Sequence, residues 1–180
     1  MKQLILATIA LLLAALPLRA DDWQAFDTPG AVALMRHALA PGTGDPAGFA
    51  LDDCATQRNL DDRGRAQARA IGAAFRDRGI AFDAVLSSQW CRCMDTARLL
   101  ELGPVTEEPA LNSFFQDRSR RAAQTAEALD LIRAQDGRIM MVTHQVNITA
   151  LTGVFPRSGE VLIVKPGAEG LDVLGRVLIE

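Results

Sequence analysis

Three short apolar runs stand out along the chain: Ala31–Met35, Ala84–Leu86 and Ile139–Val142. Their length and lack of charge predict buried strands. A loop rich in breakers, Pro41-Gly42-Thr43-Gly44-Asp45-Pro46, follows the first. Leu60, Gly64, Ala68, Ile71 and Phe75 then recur near one face at helical spacing, with Asp61 as the cap and Gly79 as the stop of a helix ending near Arg78. Gln89–Leu100 predicts a second helix, broken by Gly103-Pro104, and Asp117–Arg133 a polar third. Asn147–Thr152 gives the first turns of a fourth. Val161–Val164 and Val173–Ile179 flank Pro166-Gly167 and predict a closing hairpin. Strands alternating with helices imply the α/β class: a single-domain three-layer α/β/α sandwich whose sheet is mainly parallel, with a mixed edge supplied by the hairpin.

The first twenty residues follow another pattern. Lys2 precedes an uncharged apolar run, Leu4–Leu16, and then Pro17-Leu18-Arg19-Ala20. A basic start, an apolar middle and a small residue at the end predict a signal peptide over residues 1–20, cut after Ala20, and a domain over 21–180. The alternative, an uncleaved anchor, needs about 20 apolar residues to span a bilayer. Position 21 is Asp, not Cys, so no lipid anchor is indicated. The expected location is periplasmic or secreted, with no stable membrane anchor after cleavage.

Composition narrows the function classes. With 49% hydrophobic residues the chain is not disordered. A net charge of -3 and 5% aromatics without Tyr argue against nucleic-acid binding. Three Cys are too few for a disulfide scaffold.

The two His of the chain both follow apolar strands, as Met35-Arg36-His37 and Val142-Thr143-His144. Ligands gather at the carboxyl ends of strands in open α/β sheets. Arg92 sits on the helix after the Ala84–Leu86 strand, so two His and two Arg converge from three strand ends. Guanidiniums match phosphate oxygens, a neutral imidazole is a competent nucleophile, and a second, protonated imidazole would donate to a phosphoryl oxygen. The set predicts attack on phosphorus without a metal or other cofactor. A zinc site would need a third ligand beside His37 and His144, and no local ligand pair at metal spacing exists. Ser87 and Ser88 read as turn residues, since no His-acid pattern supports a serine nucleophile.

The motifs resemble those of the histidine phosphatase superfamily, which includes phosphoglycerate mutases and acid phosphatases. Arg36-His37-Ala38 is similar to its Arg-His-Gly, with Ala in the Gly position. The stretch Leu60–Ala68 resembles its Leu-Thr-x-x-Gly-x-x-Gln-Ala helix, and Ser87–Ala97 its Ser-Ser-x-x-x-Arg-x-x-x-Thr-Ala segment. Val142-Thr143-His144 resembles Val-Ser-His-Gly. Together they run in order from residue 32 to about 153. The resemblance implies a phosphoglycerate mutase-like fold and a phosphatase in which His37 forms a phosphohistidine while Arg36, Arg92 and His144 bind the phosphoryl group. It also implies that a backbone carbonyl fixes the His37 tautomer. Thr43, Arg58, Gln145 and Asn147 are further candidate phosphate or substrate contacts; a helix N-cap is the other reading of Asn147.

The chain also departs from that pattern. One branch of the family places its general acid in the stretch that here reads Pro109–Phe115, which holds no acid; another places it directly after the second His, where this chain has Gln145. The general acid is unassigned, with Asp53, Glu107, Glu108 and Asp117 as candidates. An activated substrate such as a phosphohistidine or acyl phosphate would suit such a site. The other functional reading is a weak or inactive member that binds a phosphorylated ligand. Mutase activity is disfavoured, because the domain leaves little room for a cap. Residues 110–125, with Phe114 and Phe115, form the expected specificity segment. The substrate class is a small-molecule or envelope phosphoryl compound; oligomeric state is unread. Cys91 and Cys93 point about 200° apart on a helix, so only one can face Cys54. Cys93 falls where the family has a small buried residue, which favours a Cys54–Cys91 bridge; free buried thiols are the alternative.

Overall fold

The computed structural model describes residues 22–168 and 170–179. The expected signal segment and its cut after Ala20 lie outside the described residues. Four strands form the parallel part of the sheet: β1 (Val32–Arg36), β2 (Ala84–Ser87), β3 (Val105–Glu107) and β4 (Ile139–Thr143). The hairpin of β5 (Val161–Pro166) and β6 (Leu171–Val177) adds antiparallel to β1. The six strands run in the order β3-β2-β4-β1-β5-β6, so the sheet is mainly parallel with the expected mixed edge.

Alternation along the central strands sorts the core into two layers. Ala33, Met35, Met140, Val142 and Ile163 face α1 (Asp62–Asp77) and α2 (Cys91–Leu100), packing with Ile71, Phe75, Ala97 and Leu100. Val32, Leu34, Ile139, Met141 and Leu162 face α3 (Arg121–Arg133) and α4 (Gln145–Thr152), packing with Ala128, Ile132, Ile148 and Leu151. Each large apolar side chain buried this way contributes about 1.5–3 kcal/mol. A sheet apolar on both faces explains why its strands read as continuous hydrophobic runs.

Helix α1 forms as its pattern predicts. The Asp61 carboxylate accepts from the Gly64 amide at 2.8 Å, and Gly79 turns out of the helix at φ +66°. Two α1 glycines permit close packing. A Cβ on Gly64 would lie 1.9 Å from the Leu39 carbonyl oxygen, and one on Gly72 1.9 Å from that of Leu100.

Several boundaries differ from the sequence expectation. β3 was not expected; it is an edge strand held by its ladder to β2 rather than by burial. α3 begins at Arg121, because the Asp117 side chain caps a separate 3-10 turn, Arg118–Arg120. α4 begins at Gln145, with the extended backbone of His144 as its cap, so Asn147 lies inside the helix. β6 starts at Leu171 because it pairs with Pro166 from the turn onward.

Candidate active site

The parallel register of β1 and β4 pairs Arg36 with Thr143, so the next residues, His37 and His144, leave the sheet side by side. The His37 amide extends the ladder by donating to the Thr143 carbonyl at 3.0 Å. The two rings stand 5.6 Å apart, centre to centre. They line a cavity of about 380 Å³, which among the described residues four guanidiniums (Arg36, Arg58, Arg92 and Arg118) share with a single carboxylate, Asp45.

His37 is buried, and its Nδ1 lies 2.7 Å from the Ala38 carbonyl oxygen. A carbonyl only accepts, so Nδ1 carries the proton and Nε2 keeps its lone pair. The tautomer-fixing carbonyl therefore belongs to the Ala that stands in the family's Gly position. Burial first, then the Arg92 charge, push the ring's proton affinity well below the ordinary value of 6.5; Arg36 and Arg58 add to this, against the opposing pull of the Ala38 carbonyl. The imidazole is neutral at neutral pH. Ala38 is itself fixed, its amide donating to Thr96 Oγ1 at 3.0 Å.

His144 differs from expectation. Arg92 Nη2, which can only donate, lies 3.4 Å from its Nδ1, so Nδ1 accepts. Nε2–H then donates to Ser88 Oγ at 2.8 Å, and the Ser88 hydroxyl donates to Asn112 Oδ1 at 3.2 Å. Burial and the Arg92 charge push this ring well below 6.5 as well. The second imidazole is thus neutral rather than protonated, and it orients Arg92. Ser88, expected only as a turn residue, is part of that chain of bonds.

Arg92 meets a partner that sequence reasoning missed. Its Nη1 donates to Asp45 Oδ1 at 2.6 Å and its Nη2 to Oδ2 at 3.2 Å, with both side chains 4% exposed. Trp90 Nε1 donates to the same carboxylate at 3.0 Å. Burial alone would raise the proton affinity of Asp45, but the bonds from Arg92 and Trp90 outweigh it and hold the group below the ordinary carboxylate value. Arg36 Nη1 donates to the Pro156 carbonyl at 2.9 Å. The Nε atoms of Arg36 and Arg92 are buried without a protein partner.

Residues 32–114 match the family model of the histidine phosphatase superfamily (branch 1). The chain belongs to the histidine phosphatase superfamily. The matched stretch holds Arg36, His37, Asp45, Arg58 and Arg92; His144 lies beyond it and joins the site through the β1–β4 register. SixA of Agrobacterium tumefaciens, described as a candidate phosphohistidine phosphatase, is similar in structure, with a TM-score of 0.58, 22% identity, and coverage of 84% of this chain and 99% of that one. The protein histidine phosphatase SixA solved with tungstate gives a TM-score of 0.56 at 14% identity, covering 82% of this chain and 96% of its own. A phosphoserine phosphatase mutant from Entamoeba histolytica, solved with phosphoserine, gives 0.55 at 13%, covering 81% and 95%. These likenesses are of fold. A comparison with curated proteins gives no match. The superfamily and the arginine-lined pair of imidazoles make the chain a phosphatase.

The remaining candidates of this histidine phosphatase divide. Thr43 lines the cavity from an exposed position. Arg58 also lines it, but its guanidinium straps the preceding loop, donating to the carbonyls of Gly44 (2.8 Å) and Ala40. Gln145 lines the cavity and donates from Nε2 to Thr149 Oγ1 at 2.8 Å. Asn147 does not line it. Its Nδ2 donates to the Asn112 carbonyl at 2.8 Å, so it is a buried strut, neither a phosphate contact nor a helix cap. The four acids considered as general acid all point elsewhere. Asp53, Glu108 and Asp117 accept from nearby backbone amides, and Glu107 accepts from Gln89. Phe114 is buried, while Phe115 lines the cavity. Cys54 and Cys91 form a disulfide, leaving Cys93 as a buried thiol pushed up to about 12 by burial. Among the described residues no three His, Cys, Asp or Glu side chains cluster as a metal site would require.

Proposed function

We propose that this phosphatase hydrolyses a phosphomonoester or related phosphoryl compound through a phosphohistidine on His37, without a metal ion. The observation that carries the reading is the 2.7 Å contact of His37 Nδ1 with the Ala38 carbonyl, which leaves Nε2 as a neutral nucleophile in an arginine-lined cavity. The phosphoryl oxygens are held by Arg36 and Arg92, with Arg58 adding positive charge. His37 Nε2 donates its lone pair to phosphorus, and the bond from phosphorus to the leaving oxygen breaks, its electron pair going to that oxygen. Water then attacks the phosphohistidine, the N–P bond breaks, Nε2 regains its lone pair, and phosphate leaves as a proton passes to solvent. Arginine donors aimed at a phosphoryl group stabilise the charge that builds up in both steps.

Asp45 is the carboxylate lining the cavity, and Arg92 holds it ionised. It is a poor proton donor to the leaving oxygen, which favours leaving groups that depart as stable anions. The Arg92–Asp45 pair also favours the second reading, a weak member that binds a phosphorylated ligand, since one arginine fork is already occupied. The Cys54–Cys91 disulfide supports an exported protein, because such bonds persist in oxidising compartments.

The test is hydrolysis of an activated aryl phosphate in EDTA by the purified chain and by His37→Ala. Turnover that survives chelation and disappears in the variant, with an acid-labile phosphoryl-enzyme trapped in the parent, is the expected result. Turnover retained by His37→Ala refutes the nucleophile. Vanadate binding without turnover favours the second reading.

A further inference from the structure

Among the described residues three large apolar side chains are exposed, and two of them, Phe115 (38%) and Phe155 (68%), line the same cavity as His37 and Arg92. A single exposed apolar residue is ordinary; two converging on a phosphate-type cavity are not scattered exposure.

Both are held there by their neighbours. Phe155 follows Gly153, which ends α4 at φ +74°. On one side, Thr149 Oγ1 donates to the Val154 carbonyl at 2.8 Å, and Gln145 Nε2 donates to that same hydroxyl. On the other, the Pro156 carbonyl accepts from Arg36 Nη1 at 2.9 Å. The backbone flanking Phe155 is therefore pinned, partly by an arginine of the phosphoryl site, and the ring is kept out of the core. Phe115 is braced as well. Its amide donates to Ser113 Oγ at 3.2 Å, Arg118 Nε donates to its carbonyl at 3.2 Å, and the Arg118 guanidinium stands 4.9 Å over its ring. Phe114, its neighbour in sequence, turns into the core.

From this we infer that Phe115 and Phe155 form the leaving-group subsite, and that the substrate class is an aryl phosphate. The inference rests on the phosphatase reading above. Planar rings packed against Phe gain from offset or edge contacts beyond simple burial. A phenolate also departs as a stabilised anion, which suits a site whose carboxylate is already ionised. In the step at phosphorus, the bond to the phenolic oxygen breaks and its electron pair leaves with the aryl group.

The experiment compares kcat/KM for phenyl phosphate with that for a polyfluoroalkyl phosphate whose alcohol has matched acidity. Phosphotyrosine in a short peptide tests whether the aryl group comes free or on a protein. The expected result is preference for the aryl esters. Phe155→Ala and Phe115→Leu each lower kcat/KM for the preferred aryl ester about three- to tenfold more than for the polyfluoroalkyl ester, with vanadate inhibition unchanged. Phe155→Ala removes an exposed ring, and unchanged vanadate inhibition shows that the site remains folded. Equal rates on the matched esters, or variants that lower both alike, overturn the subsite while leaving the phosphatase reading intact. No turnover of either ester, with vanadate still bound, overturns the phosphatase reading itself.

Discussion

Replacing Cys54 and Cys91 together by Ser opens a loop whose ends are 37 residues apart. Chain-entropy arguments for a loop of that length give about 4 kcal/mol of stabilisation at 25 °C, acting mainly by restricting the unfolded chain. In a domain of this size each kcal/mol moves Tm by about 2–4 °C, so the double variant is expected to melt about 8–15 °C lower. The folded geometry around the bridge has other ties. Gln57 Oε1 accepts from the Cys91 amide at 2.9 Å, and Gln57 Nε2 donates to the carbonyls of Ala50 (3.0 Å) and Leu51 (2.9 Å). Arg92, next to Cys91, should therefore keep its place, and kcat/KM well below Tm should stay within about twofold of the parent. Calorimetry of parent, reduced parent and double variant measures the shift. Thiol titration of the unreduced parent should count one thiol, Cys93, only after unfolding. A Tm difference under about 3 °C, or three thiols in the unreduced parent, refutes the argument. Loss of activity far below Tm would show that the bridge acts on the folded site instead.

Asp45→Ala leaves the buried Arg92 charge without its partner and is expected to cost about 3–5 kcal/mol in urea unfolding, with Asp45→Asn less damaging because an acceptor oxygen remains; a loss under about 1 kcal/mol for the Ala variant would contradict the pairing. His37 and His144 both bind protons more weakly folded than unfolded, so below the unfolded value of 6.5 the unfolded chain carries more protons and stability falls with falling pH. The slope approaches about 1.4 kcal/mol per pH unit for each ring, and His37→Gln should remove its share; a flat stability profile from pH 7.5 to 5 would refute the neutral pair. Gly64→Ala is expected to destabilise by about 1–3 kcal/mol, because its Cβ would meet the Leu39 carbonyl oxygen; an unchanged Tm would count against that packing.

The convergence of His37, His144 and Arg92 was legible because each follows an apolar strand, and parallel strands bring their carboxyl ends to one edge. Helix α1 was legible for a similar reason, its cap, stop and apolar spacing all agreeing. β3 was not, since Val105-Thr106-Glu107 carries no run or alternation and is held by backbone bonds. Asp45 escaped notice because it sits in a breaker-rich loop and its partner lies 47 residues away. No local pattern encodes such a pairing. The charge state of His144 was misjudged because it depends on burial and on the neighbouring Arg92 guanidinium, both of which are set only by the fold. Asn147 looked like a cap because polar residues before apolar ones often are, yet the extended backbone of His144 begins the helix first.

Helix α1 lends no side chain to the walls of the cavity, yet it bears on the backbone just after His37, the proposed nucleophile. Gly64 lies against the Leu39 carbonyl, Gln67 Oε1 accepts from the Leu39 amide at 3.0 Å, and one residue earlier the Ala38 carbonyl accepts the hydrogen bond from His37 Nδ1–H. The proton inventory of the ring is thus written from behind the site, by main-chain position. Under the proposed mechanism, exchanges at the exposed wall residues Phe155 and Thr43 alter which phosphoryl compound is accepted but not the tautomer of His37. A mutational search confined to the cavity wall would leave untouched the helix that fixes the Leu39 backbone beside His37.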